Sequence, residues 1–256
     1  MNDDLTLEGV ECVHHDDTHN AFTDLCIYAG ALYLTFRSCP DGHGVSPSSC
    51  VRILKRELEG GEWKEVCSFS VPDRDTRDPH FLEFRERLWV ITGTWLCPES
   101  AEHARRELND HLGYCVCSSD GESWSAPAIM QGTHGYYVWR AAAHGSRAYL
   151  CGRRKKDFGP GDSSDSRSWP RLQSVLLSSE DGVHYREAGL FQESYGEGSA
   201  LVDLLTLPSG GDNSYPGFAA LDGSRALVSY YSSHEGFRNS KGVQCSAIYL
   251  AEVRRR

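Results

Sequence analysis

The chain has 256 residues, with 26 Lys and Arg against 36 Asp and Glu and a formal net charge of −10. This acidic balance argues against a nucleic-acid backbone as the main partner. No apolar run approaches the roughly 18 residues needed to span a bilayer, so we expect a soluble protein without a membrane partner. The acidic start Met1–Asp4 has no apolar segment behind it, which predicts a cytoplasmic location and leaves a secreted mature form open.

The ten cysteines lie mostly in predicted strands, and no pair of CxxC motifs occurs among them. A free cysteine in a strand behaves as a small apolar residue. We therefore expect reduced thiols, with no metal site and no cofactor.

Runs rich in β-forming residues, most of them ended by turn residues, predict an all-β protein. In chain order they form four hairpins, Asn20–Ile27 with Ala31–Arg37, Asp78–Phe84 with Leu88–Trp95, Val138–His144 with Ala148–Arg153, and Tyr215–Leu221 with Ala226–Tyr231. A third strand follows each of the first three hairpins, at Val51–Lys55, Gly113–Ser118 and Gln173–Ser178.

A turn motif repeats after these third strands. Ser118-Ser119-Asp120-Gly121-Glu122-Ser123-Trp124 returns as Ser179-Glu180-Asp181-Gly182-Val183-His184-Tyr185, and a degenerate copy ends at Trp63. The final aromatic residue advances by 61 residues at each step. A fixed period of this size indicates one supersecondary unit copied along the chain. Because each copy is a set of short strands, the pattern predicts a β-propeller of four-stranded blades.

The two ends of the chain are predicted to share one blade. Leu5–Val13 supplies a fourth strand to the last hairpin and its third strand Ala247–Val253, which leaves no open edge there. Gly198–Val202 and Leu204–Leu207 suggest an incomplete blade, so we expect one domain over 1–256 with five blades, one of them incomplete; four blades is the alternative.

Two insertions interrupt the repeat between second and third strands. Glu99–Leu112 has the composition of a short helix, and Lys156–Pro170 is a Gly- and Ser-rich loop. Both fall on the face that also collects the links between blades, where function usually resides.

Charged and aromatic residues occupy the strand positions on that face. Those from first strands are His19, Asn20, Asp24, Arg77, Asp78, His80, Trp139, Arg140, Glu197, Asp212 and Tyr215. Those from the ends of second strands are Arg37, Trp95, Arg153, Tyr230, Tyr231 and His234. Arginines in an acidic protein point to an anionic ligand held by bidentate contacts, with the aromatic rings stacking on a sugar.

These residues also resemble a known family. The turn motifs match the Asp-box of sialidases, and further matches are His19–Leu25, Arg77-Asp78-Pro79, Trp139-Arg140, Leu207–Tyr215 and Val228–Gly236. The resemblance implies a propeller and carbohydrate chemistry. It implies an arginine triad of Arg37, Arg77 and Arg140, a nucleophile Tyr215 assisted by Glu197, and Asp24 or Asp78 as the acid/base.

The expected function is a glycoside hydrolase-like activity on an anionic sugar or glycan. Proton donor and nucleophile would be drawn from Asp24, Asp78, Glu197 and Tyr215. Ligand contacts would come from Arg37, Arg77, Arg140, Trp139, His19, Asn20, Trp95, Tyr230, Tyr231, His234 and Asp212. A lyase that acts on an acidic small molecule and a non-catalytic glycan-binding propeller are the alternatives.

Overall fold

The computed structural model describes residues 5–98, 107–159, 172–192, 205–211 and 215–255, without the side chains of residues 157 and 192. Apart from two 3-10 turns, the regular secondary structure of the described residues is all β. The strands are β1 Leu5–His14, β2 His19–Tyr28, β3 Ala31–Cys39, β4 Cys50–Glu57, β5 Lys64–Phe69, β6 Arg74–Phe84, β7 Arg87–Leu96, β8 Leu112–Ser118, β9 Ala128–Ile129, β10 Tyr137–His144, β11 Arg147–Lys155, β12 Leu172–Ser179, β13 Tyr185–Gln192, β14 Gly217–Ala220, β15 Arg225–Ser232 and β16 Ala247–Arg255.

These strands form four sheets of four, in the orders β2-β3-β4-β5, β6-β7-β8-β9, β10-β11-β12-β13 and β1-β16-β15-β14. All four predicted hairpins are confirmed. The prediction that the first strand completes the last sheet is also confirmed, because β1 pairs antiparallel with β16 from Leu5 opposite Arg255 to His14 opposite Ile248.

The chain divides into two compact units. The first comprises Met1–Gly44, Val51–Ser68 and Gly198–Arg256, and the second comprises Val45–Cys50 and Phe69–Glu197. The core of the first unit includes Leu34, Phe36 and Ile248. The core of the second includes Trp89 and Leu177. A single domain over the whole chain stays a prediction.

Three sequence predictions change in detail. The end of the segment predicted as a helix, from residue 107 onward, is a 3-10 turn at Leu108–Asp110, where the Glu107 side chain accepts a hydrogen bond from the backbone N–H of Asn109 at 3.1 Å. The predicted loop begins with a second 3-10 turn, Lys156–Phe158. The last hairpin begins at Gly217 rather than Tyr215, because Tyr215 has a left-handed φ of 52° and Pro216 has no backbone donor.

The incomplete blade cannot be compared with the structure over its predicted first strand. Residues 198–204 lie outside the described part of the chain, and residues 205–207 are not in a strand. The number of blades therefore stays a prediction. No helix in the described residues is long and apolar enough to cross a membrane.

The repeated turns are held by their aspartates. Asp120 Oδ1 accepts hydrogen bonds from the backbone N–H groups of Glu122 at 2.8 Å and Ser123 at 2.7 Å. Asp181 Oδ1 accepts the equivalent bonds from Val183 and His184, both at 2.8 Å. These backbone donors hold the pKa of both carboxyls well below its usual range. The motif residues therefore stabilise a turn between a third and a fourth strand.

All ten cysteines are free, in agreement with the prediction of reduced thiols. Their burial is less uniform than predicted. Cys39, Cys97, Cys115 and Cys245 are buried, five others are half-buried, and Cys12 on β1 is exposed.

Candidate functional site

The first strands of two sheets carry a β-bulge at the same position. The register of β2 against β3 shifts between Ala21 and Asp24, and that of β6 against β7 shifts between Arg77 and His80. Inside these bulges Phe22 has φ 58° and Asp78 has φ 52°. Left-handed backbone is rare for residues other than glycine, and such strain concentrates at functional sites. Each bulge turns one large or charged side chain out of the strand alternation.

In the second unit the bulge presents a buried carboxyl group. Asp78 is 2% exposed, and the Tyr137 hydroxyl donates a short hydrogen bond to its Oδ2. Its Oδ1 is buried and has no hydrogen-bond partner among the described residues. Burial raises the pKa of Asp78, although the nearby Arg77 charge and the Tyr137 hydrogen bond act in the opposite direction. Asp78 is therefore suited to hold a proton that an ordinary aspartate would lose.

The neighbouring arginine is already paired. Arg77 Nε donates to Asp75 Oδ2 at 2.6 Å, and Asp75 is fully buried. The backbone carbonyl of Arg77 accepts a hydrogen bond from Thr92 Oγ1 at 2.5 Å. These contacts hold the strand that carries Asp78 in place and give Arg77 an internal counter-ion.

A row of rings adjoins Asp78. The ring of Trp95 lies 4.2 Å from that of His111, His111 lies 4.5 Å from Tyr137, and Tyr137 lies 6.1 Å from Trp139. The Arg153 guanidinium lies 5.4 Å from the centre of the Tyr137 ring and 5.8 Å from that of Trp139. Arg153 forms no ion pair with a described carboxylate. We call this group the Asp78 cluster: Asp78, Trp95, His111, Tyr137, Trp139 and Arg153.

The Asp78 cluster concentrates buried polar atoms that lack a partner. Among the described residues, no hydrogen bond reaches Asp78 Oδ1, Trp95 Nε1, His111 Nε2 or Arg153 Nε. Buried polar atoms in native proteins are nearly always hydrogen-bonded, so each exception needs an explanation. Two of these atoms are donors, one is an acceptor and one belongs to a carboxyl group. That combination matches a ligand that bears hydroxyl and anionic groups.

Two glycines let Tyr137 approach its neighbours. A Cβ at Gly93 would lie 2.8 Å from the Val138 carbonyl oxygen and 3.1 Å from the Tyr137 ring. A Cβ at Gly152 would lie 2.5 Å from the Tyr137 carbonyl oxygen. The close approach of β7, β10 and β11 at this point therefore depends on the absence of side chains.

In the first unit the bulge presents an aromatic ring instead. The Phe22 ring lies 5.2 Å from Tyr215, 5.4 Å from His43 and 5.9 Å from Tyr231. His19 lies 5.1 Å from His43 and 6.3 Å from Tyr231. We call these five residues the Phe22 cluster.

Arg37 adjoins the Phe22 cluster but has a structural environment. It is 0% exposed, and its Nη1 and Nη2 atoms donate to the carbonyl oxygens of Gly42 at 3.1 Å and Gly44 at 2.8 Å. The guanidinium therefore stabilises the loop that follows β3. Asn20 is likewise fully buried, and its Nδ2 donates to Asp16 Oδ1 at 2.8 Å.

The remaining predicted residues are dispersed. Tyr230 and Tyr231 are consecutive on β15 and point to opposite faces; only Tyr231 joins the Phe22 cluster, whereas Tyr230 stacks on Tyr249 at 5.4 Å. His234 also packs on Tyr249, at 4.5 Å. Arg140, predicted to contact the ligand, is exposed on β10 beyond its bulge.

Asp24 is buried at the end of the bulge of β2, where it pairs with Thr35. Glu197 and Asp212 lie outside the described residues, and their roles stay predictions.

Sequence reasoning missed Tyr137, His111 and His43 as members of these clusters, and Asp75 as the partner of Arg77. Tyr137 had a signal, because it lies two residues before Trp139 at the start of the same strand. His111 had none, since it falls in a segment whose composition indicates a helix.

The sequence and the structure were each compared with those of known proteins. No protein-family model matches the chain, and neither does any curated protein. A protein of unknown function from Dyadobacter fermentans is similar in structure, with a TM-score of 0.72 and 16% identity over 99% of this chain and 100% of that one.

Two glycoside hydrolases are also similar in structure. The GH43_1 enzyme from Xanthomonas citri has a TM-score of 0.58 and 12% identity over 92% of this chain and 88% of that one. Zg3597, a family 117 glycoside hydrolase from Zobellia galactanivorans, has a TM-score of 0.51 and 9% identity over 98% and 90%. At these identities the similarities show an all-β, propeller-type fold that glycoside hydrolases also use.

Proposed function

We propose that this protein is a glycoside hydrolase that cleaves the bond next to an anionic, carboxylate-bearing sugar, with Asp78 as its proton donor. One observation carries the proposal: Asp78, a buried carboxyl group with a raised pKa, belongs to the same cluster as Arg153, which packs on aromatic rings, and neither Asp78 Oδ1 nor Arg153 Nε has a hydrogen-bond partner among the described residues. The use of the propeller-type fold by glycoside hydrolases supports it.

Asp78 has the properties that a general acid requires. Glycosidic bond cleavage needs a proton on the leaving oxygen, and a carboxyl group whose pKa is raised by burial supplies it near neutral pH. Asp78 would donate from Oδ1. The Tyr137 hydroxyl, which donates to Oδ2, would then stabilise the carboxylate that remains.

Arg153 is the group best suited to bind the anionic part of the sugar. A guanidinium stacks on aromatic faces while its edge stays available to a carboxylate. Arg77 is less suited, because Asp75 already neutralises it. We therefore assign to Arg153 the ligand contact that the sequence assigned to Arg140.

Most glycosidase mechanisms also need a nucleophile or base on the opposite side of the bond. The sialidase resemblance implies Tyr215 with Glu197 for this task, and this role stays a prediction from the sequence. The sialidase-specific substrate likewise rests on the resemblance alone.

The test is turnover of fluorogenic methylumbelliferyl glycosides of glucuronic acid, galacturonic acid and N-acetylneuraminic acid. We expect fluorophore release by the wild-type protein on at least one of these and its loss in Asp78→Asn. The matching neutral glycosides serve as controls and should be cleaved more slowly. Release that persists in Asp78→Asn would contradict the role of Asp78. An unsaturated product that absorbs in the near ultraviolet would indicate a lyase, and binding without turnover would indicate a glycan-binding protein.

A further inference from the structure

Trp95 and His111 form a donor–acceptor pair that the proton-transfer chemistry does not use. Their rings meet edge to face with centroids 4.2 Å apart. Trp95 Nε1 and His111 Nε2 are both buried, and neither has a hydrogen-bond partner in the described part of the chain. Leaving two such atoms unsatisfied is costly in a folded protein, so two rings in contact that each carry one call for a ligand group that both can reach.

The tautomer of His111 follows from its backbone contact. Its Nδ1 lies 2.8 Å from the carbonyl oxygen of Thr94, an acceptor, so Nδ1 carries the proton. The Nε2 lone pair is then free to accept. His111 is 1% exposed, and burial lowers its pKa to about 3, which keeps the ring neutral at ordinary pH. Trp95 Nε1–H can only donate.

We infer that Trp95 and His111 together bind one hydroxyl group of the sugar, which donates to His111 Nε2 and accepts from Trp95 Nε1. A hydroxyl is the sugar group that satisfies an adjacent donor and acceptor with a single oxygen. The inference rests on the proposed function for its ligand class. It adds a specificity-determining pair that is separate from proton donation by Asp78 and from anion binding by Arg153.

Discrimination between a glycoside and its deoxy analogue follows from the same pair of hydrogen bonds. A site built to hydrogen-bond a substrate hydroxyl rejects the deoxy analogue strongly, because its own buried groups are then left without partners. We expect one monodeoxy analogue to react at least about 100-fold more slowly than its parent glycoside in kcat/KM. For the analogues that lack one of the other hydroxyls, kcat/KM should fall less.

The first experiment is 15N NMR of histidine-labelled protein, alone and with the methyl glycosides of glucuronic acid, galacturonic acid and N-acetylneuraminic acid. We expect the free protein to show His111 as the neutral Nδ1–H tautomer, and the Nε2 resonance to shift on addition of at least one glycoside. His144, which is exposed at the end of β10, is the internal control and should not shift. An Nε2–H tautomer, or no shift of Nε2 with any glycoside, would overturn the inference.

The second experiment measures kcat/KM on the monodeoxy series for the wild type, His111→Phe and Trp95→Phe. Both variants should lose the discrimination against the same deoxy analogue by at least tenfold, whereas His144→Phe should keep it. If His111→Phe does not fold, His111→Gln and the substrate series on the wild type still decide the matter. Equal losses on parent and deoxy glycosides would show that the two residues act only structurally.

The experiments test the hydrolase proposal and the hydroxyl site at Trp95 and His111 independently. A shift of Nε2 without turnover would leave the hydroxyl site standing and refute the hydrolase. Turnover without any shift of Nε2 would refute the hydroxyl site and leave the hydrolase standing.

Discussion

The Asp78 cluster and the Phe22 cluster are built on the same element and differ in what the bulge presents. Both lie at a β-bulge with a left-handed residue, and both adjoin a buried arginine. In the first unit Arg37 satisfies the carbonyls of its own loop. In the second unit Arg77 is paired with Asp75, yet four other polar atoms are buried without partners among the described residues. A buried arginine by itself is thus no guide to a ligand.

The largest expected effect is the difference in kcat between a substitution at Asp78 and one at Asp24. Asp78→Asn should reduce kcat on an acidic glycoside by about 10³-fold, because a general acid contributes on that order. Asp24→Asn, at the end of the bulge of β2, should reduce kcat less than about tenfold. The measurement is fluorophore release at saturating glycoside, and the reverse order would transfer the proton donor to the first unit.

Asp78→Asn should also alter stability. Since the folded-state pKa is raised, stability is greatest below the unfolded pKa of about 3.9 and falls as pH rises toward the folded value. The amide removes this loss, so the variant should unfold at a higher temperature than the wild type at pH 7. An unchanged or lower melting temperature would contradict a raised pKa of Asp78 in the folded protein.

Substitution of Arg153 and of Arg37 should have different effects, on ligand binding in the first case and on stability in the second. Arg153→Ala should raise KM about 10- to 100-fold, the value of a charge-assisted hydrogen bond, and leave the free energy of unfolding nearly unchanged. Arg37→Ala should lower the free energy of unfolding by about 2–3 kcal/mol, because two buried carbonyls lose a charged donor. Glycoside kinetics and urea denaturation measure the two effects. Arg140→Ala, at an exposed position, is the control and should alter neither.

His111 makes stability depend on pH. Its folded-state pKa is lowered to about 3 from 6.5, so its contribution is complete above pH 6.5 and is lost as pH falls toward 3. Within that window the free energy of unfolding should fall by about 1.4 kcal/mol per pH unit. Urea denaturation of the wild type and His111→Phe between pH 7 and 5 should show this slope only in the wild type. Parallel curves would contradict the burial of a neutral ring.

The smallest effect concerns the close approach of strands at Tyr137. Gly93→Ala places a methyl group 2.8 Å from the Val138 carbonyl oxygen and 3.1 Å from the Tyr137 ring, which must then move away from Asp78. We expect about a tenfold loss of kcat and about 1–2 kcal/mol of stability, as for other overpacked sites. Gly189→Ala, where an added Cβ meets nothing within 4 Å, is the matched control. Equal kinetics in the two variants would remove Tyr137 from the proposed mechanism.

Much of the β-structure was predictable, because its signals are local. Alternation and turn residues located the four hairpins, and the repeat spacing located the aspartates that hold the turns. The pairing of β1 with β16 was predictable from the need to fill an empty edge. The 3-10 turn at Leu108–Asp110 was not, since it depends on capping by the Glu107 side chain and on the burial of Leu108.

The sequence alone determined which strands form and where charged residues enter them, because strand formation follows from the period of the side chains. Tertiary structure decided which of those residues belong together. Arg37, Arg77 and Arg140 look alike in the sequence, and only packing shows that one binds loop carbonyls, one an internal aspartate and one is exposed. The same packing leaves Asp78, Trp95, His111 and Arg153 with buried atoms that no described residue satisfies, because hydrogen-bond satisfaction depends on contacts between residues distant in the chain.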